Sequence, residues 1–78
     1  MSKSETFTIN KKVSQLLASE RKGKGVTQAA LAIKLKKPQS FVSKYENGQR
    51  QLTVADFTSV CKALKLKPAD FFTMLDKG

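Results

Sequence analysis

The segment TQAALAIKLKKPQSFVSKYENG, residues 27–48, decides how this chain is read. Thr27 offers a side-chain oxygen to the start of a helix, and Ala29, Leu31, Ala32 and Leu35 supply an inward face from Gln28 to about Lys36. Two of those residues are alanines, so another helix can approach closely. Pro38 cannot continue that helix but suits the start of the next one. A third helix over Gln39 to Glu46 buries Val42 and Tyr45 and part of Phe41, and Asn47-Gly48 stops it. Two short helices joined by a tight turn, the second opening on polar side chains, is how a protein offers a helix to the DNA major groove.

Outward from this segment the pattern stays helical. Upstream, Asn10 is a plausible N-cap, with Val13, Leu16, Leu17 and Ala18 forming an apolar stripe that ends within Arg21 to Gly25. Residues 1–9, mostly polar with one Phe7, read as a flexible N-terminal arm. Downstream, Thr53 caps a fourth helix, with Asp56 three residues on as a capping-box partner. Its apolar positions are Val54, Phe57, Val60, Cys61 and Leu64. Pro68 opens a fifth helix carrying Phe71, Phe72, Met74 and Leu75. The expected fold is all-α: one compact five-helix domain over residues 10–76, with the helix-turn-helix proper at 27–47.

Composition narrows the function classes. Fifteen Lys and Arg against six Asp and Glu give +9, which draws nucleic acid, anionic membrane or acidic proteins. Residues 1–26 carry six positive and two negative charges, residues 27–52 five and one, and residues 53–78 four and three. So +8 of the +9 lies in the first two-thirds, and the last third is free for another task. The chain has no His, and Cys61 is alone, so the usual general base, metal ligands and intramolecular disulfide are missing. An enzyme is therefore not expected, nor a metal or other cofactor. With no signal peptide and no bilayer-spanning run, the expected location is the cytoplasm.

Residues 27–48 also resemble, almost position by position, the lambda-repressor and Cro-like (XRE-type) helix-turn-helix family of bacteria and phages. The opening "TQ..LA", the apolar centre of the third helix, the closing "YENG" and the trailing "R..T...F..V..AL.L....FF" from Arg50 to Phe72 carry the likeness. It covers about residues 10 to 75 and implies a lambda-repressor-like domain that regulates transcription. By resemblance, Gln28 contacts a phosphate, with Thr27 in a secondary role beside its capping. Gln39, Ser40, Ser43 and Lys44 fall where relatives read bases; Gln suits adenine, Lys suits guanine and Ser is permissive. Asn47 and Arg50 would grip phosphates, Arg50 being otherwise a loop residue or a partner of Glu46. Arg21 and Glu46 match a structural ion pair of some relatives. Three positions depart from the pattern: Lys36-Lys37 in the turn, Ala18 where many relatives have Arg, and Leu52 where many have Pro.

One recognition helix reads only about four to six base pairs, whereas a two-fold dimer reads two half-sites about one helical turn apart. The expected partners are therefore double-stranded DNA, as a palindromic operator, and a second copy of the chain. Some of Phe71, Phe72, Met74 and Leu75 would pack inward and the rest would form the dimer contact. With no sensor domain, regulation as a repressor or other regulator would come from concentration or from a protein partner such as a toxin, an antirepressor or RNA polymerase. Two other readings stand beside this one. An antitoxin-like adaptor would need an interaction tail, and little chain follows Leu75. Non-specific attraction of RNA or membrane by charge alone would collapse with salt.

Overall fold

The computed structural model describes the backbone of residues 3–77 and the side chains of residues 9–76. Five helices follow in order: α1 Lys3–Gly23, α2 Gln28–Leu35, α3 Gln39–Glu46, α4 Val54–Ala63 and α5 Pro68–Lys77. There is no strand among the described residues. Helix α2 packs on α3 and α4, and α1 crosses α3 and α5. The shared core holds Leu17, Leu31, Val42, Tyr45, Val60, Cys61, Leu64 and Phe71. The all-α, five-helix expectation is met.

Helix starts follow the side chains read from the sequence. Thr27 Oγ1 accepts from Ala30 N at 3.0 Å, and Thr53 Oγ1 accepts from Asp56 N at 3.0 Å. Asp56 Oδ2 accepts in return from Thr53 N at 3.5 Å, completing the capping box. Pro68 is the first residue of α5, where its missing N–H costs no helical bond.

Helix ends share one device. At Gly25, Lys36, Gly48 and Lys65 the backbone turns left-handed, with φ between 57° and 85°. At each, that residue's N–H reaches back three positions and the next N–H reaches back five. The pairs are Gly25 to Lys22 and Val26 to Arg21, Lys36 to Ile33 and Lys37 to Ala32, Gly48 to Tyr45 and Gln49 to Lys44, and Lys65 to Lys62 and Leu66 to Cys61. This is the Schellman arrangement, which satisfies carbonyls left open at a helix end. Two of the four closures use Lys, whose Cβ is strained at this φ. Replacing Lys65 by Gly is expected to raise stability by about 0.5–1 kcal/mol, after the added entropy of the unfolded glycine is deducted. The urea midpoint of the variant checks this.

Several expectations need correction. Asn10 is not a cap, because α1 is already helical from Lys3. The arm over 1–9 is therefore helical where its backbone is described; Met1 and Ser2 lie outside the described residues. The physical reason is that residues 3–12 contain no Gly or Pro to stop the helix, and Asn within a helix costs well under ~1 kcal/mol. Ala29 is exposed, since it sits two positions from Leu31 and so cannot share its face. Val54 is 83% exposed although it stands three residues before Phe57 and seven before Cys61; it is the first residue of α4, and the burial of that face begins only at Phe57. Phe71, expected with the candidate dimer contacts, is 0% exposed within its own chain and has no surface for a partner. Of the other three, Phe72 is 54% exposed, while Met74 and Leu75 are half-buried.

Candidate nucleic-acid interface

Helix α3 is held by one face. Phe41, Val42 and Tyr45 are buried, and Gln39, Ser40 and Lys44 are exposed with Ser43 half-buried. Residues 39, 40, 43 and 44 lie at the spacing that puts four side chains on one side of a helix. Its N-cap is Pro38, with no side-chain hydrogen bond to the first turn. The first N–H groups of α3 are thus without a side-chain acceptor, unlike those of α2 and α4.

Three residues far apart in sequence fix how α3 sits. Arg21 Nε donates to Glu46 Oε2 at 2.7 Å and Arg21 Nη2 donates to Glu46 Oε1 at 3.0 Å. Arg21 Nη1 donates to the Val26 carbonyl at 2.7 Å. Gln28 Nε2 donates to Glu46 Oε1 at 3.0 Å. The pair is buried, with both side chains 8% exposed. The hydrogen bonds that Arg21 donates to Glu46 push the Arg21 pKa further up, against the opposing effect of burial. The end of α1, the start of α2 and the end of α3 are therefore tied at one carboxylate. Gln28 uses one amide hydrogen here, and its second remains for another acceptor.

Beyond α3, Asn47 Oδ1 accepts from Gln49 N at 3.1 Å, which shapes the loop. Arg50 does not pair with Glu46. Its guanidinium lies 4.9 Å from the centre of the Phe41 ring and 3.7 Å from Asp56 Oδ2. Lys37 Nζ lies 5.5 Å from the same ring centre. Phe41 thus carries one cation from the turn before α3 and one from the loop after it. Sequence reading gave Phe41 a partly buried place and no contact with a cation; the one signal was that basic residues flank it on both sides. At Lys36, where the turn departs from the family pattern, the backbone is left-handed, with φ 57° and ψ 43°.

Behind this surface the Tyr45 hydroxyl is buried, with no hydrogen-bond partner among the described residues. Burial first, and the Glu46 charge second, push its pKa well above the ordinary tyrosine value. Burial also pushes the Cys61 thiol up. A raised folded-state pKa on a neutral acid means that the folded chain keeps a proton the unfolded chain releases. Stability is therefore full below the ordinary unfolded values and falls as pH rises past about 9–10. Urea midpoints measured across this window should decline in the parent chain. The Tyr45→Phe variant should keep only the Cys61 part of the slope.

Among the described residues, no group of His, Cys, Asp and Glu could hold a metal ion, and no helix is long and apolar enough to cross a membrane.

Comparison with known proteins agrees with this geometry. No curated protein matches the chain. An XRE-family-like protein from Pseudomonas syringae pv. tomato is 35% identical with a TM-score of 0.89, over 96% of this chain and 92% of that one. The wild-type restriction-modification controller protein C.Esp1396I is 33% identical with a TM-score of 0.83, over 88% of each chain. The same controller protein, as a tetramer in complex with its natural 35 base-pair operator, matches at 33% identity and TM-score 0.83, over 88% of this chain and 91% of that one. The family model described as helix-turn-helix matches residues 17–71. This chain belongs to the helix-turn-helix family, in its XRE-type branch.

Proposed function

We propose that the protein is a transcriptional regulator that binds double-stranded DNA in a sequence-specific manner, as a homodimer on a palindromic operator. The observation that carries the reading is the polar stripe of α3, presented outward by a helix whose other face is anchored in the core. Gln39, Ser40, Ser43 and Lys44 read base edges in the major groove. Thr27, Gln28, Asn47 and Arg50 hold phosphates and fix the register. The controller protein it resembles was found on an operator, which supports the same class of partner here. Phe72 supplies the centre of the dimer contact, with Met74 and Leu75 beside it, in the third of the chain where charge is nearly balanced.

Selection of bound duplexes from a random pool at near-physiological salt tests this. The expected result is an inverted repeat with half-site centres about 10 base pairs apart. Gln39→Ala and Lys44→Ala should each relax one position, costing about 1–3 kcal/mol of discrimination there. Arg50→Ala should instead weaken all sequences alike. An unenriched pool, with binding that simply fades as salt rises, would sink the proposal.

A further inference from the structure

A cleft of about 430 Å³ runs between α1 and the loop that follows α3. Lys11 and Gln15 of α1 line one side, and Glu46, Asn47, Arg50 and Gln51 line the other. Glu46 is the one carboxylate in this lining. Its two oxygens already accept from Arg21 and Gln28, so it presents little free negative charge. What remains is an ammonium, a guanidinium and side-chain amides around a space large enough for a sugar-phosphate unit. Arg50 is also exposed, its side chain being 47% accessible.

We infer that this cleft holds the DNA backbone flanking each half-site, and that Lys11 is a phosphate contact outside the helix-turn-helix. The inference rests on α3 being the DNA-facing helix. Two residues of the cleft, Asn47 and Arg50, adjoin the end of α3, so a strand lying along them continues into the space that Lys11 borders. Lys11 lies ten residues, about 15 Å, along α1 from Arg21. The contact therefore extends the footprint by a few base-pair rises beyond the bases that α3 can reach. Lys12 makes the natural control. It neighbours Lys11 but borders a different hollow, with Gln15, Leu16 and Leu75.

The test measures affinity against salt for the parent chain, Lys11→Ala and Lys12→Ala, on two duplexes. One is the selected operator; the other carries neutral methylphosphonates at the phosphates just outside each half-site. On the first, Lys11→Ala should lose about fivefold in affinity at near-physiological salt and about one unit of salt slope per subunit. Lys12→Ala should lose clearly less. On the second, the parent chain should fall to the level of Lys11→Ala. Equal losses for both variants, or a Lys11→Ala loss that persists on the neutral flanks, would overturn the inference. So would inorganic phosphate displacing the operator at constant ionic strength, which would make the cleft a free-anion site. A parent chain that selects no operator at all would instead overturn the reading of α3.

Discussion

Glu46→Ala is expected to lower the unfolding free energy by about 3–5 kcal/mol, the usual result of leaving one member of a buried ion pair alone. For a domain this small that is a large share of the total, which lies near ~4–12 kcal/mol. Arg21 would keep a single hydrogen bond, to the Val26 carbonyl, and its charge would face the core side of α1 without a counterion. Gln28 would lose its acceptor at the same stroke. The double variant Arg21→Met with Glu46→Leu should recover a good part of the loss, because it removes both charges together. Asp56 provides the contrast. Its contact with Arg50 is longer, at 3.7 Å, and half-exposed, so breaking that pair through Arg50→Gln should move stability by under ~1 kcal/mol. Urea unfolding followed by circular dichroism separates these cases. A Glu46→Ala loss below about 1 kcal/mol would mean that the pair orders α3 without stabilising the fold.

Phe71→Ala should be about as damaging, at roughly 3–5 kcal/mol, while its neighbour Phe72 behaves differently. Phe71 is fully buried and meets Phe57 edge-on with ring centres 5.1 Å apart. Truncation leaves a cavity beneath α4 and α5 and removes that aromatic pair. The loss should be the same at every protein concentration. Phe72 rests partly on Phe57, at 5.5 Å, with half its surface in water. Its truncation should act mainly through self-association, so its effect on the melting temperature should grow with protein concentration. Melting over a hundredfold concentration range, with sedimentation equilibrium, checks both. A Phe72→Ala effect that is independent of concentration would remove Phe72 from the proposed dimer contact.

These two phenylalanines also show where sequence reading stops. Adjacent helical positions cannot both face the core squarely, but nothing in the α5 sequence says which one does. The answer depends on how α5 docks against Phe57 of α4, a tertiary fact. By contrast, the starts of α2, α4 and α5 were legible because Thr27, the Thr53–Asp56 pair and Pro68 act within three or four residues. The start of α1 was not legible, since no local stop separates residues 3–9 from the apolar stripe that follows. Among the candidate site residues, the polar opening of the third helix was legible in the sequence itself, but Gln39, Ser40, Ser43 and Lys44 were singled out by family likeness. The Arg21–Glu46 pair spans 25 residues and came from family likeness, for no local pattern encodes it. Neither source showed that Gln28 joins the pair, or that Phe41 carries Lys37 and Arg50.

The left-handed lysines bear on how this protein could be improved, and at what loss. Glycine at position 36 would ease the backbone, as at position 65, yet it would also take a cation from the turn that leads into α3. On the proposed docking of α3, stability and affinity then move in opposite directions at Lys36, the usual tension where a strained residue adjoins a binding surface. Lys65 has the same left-handed backbone, at the turn between α4 and α5 instead of the one that leads into α3. The two positions form a matched pair inside one chain. Under the proposed docking, hardening the scaffold at 65 should leave operator affinity unchanged, whereas the same edit at 36 should lower it while raising heat resistance.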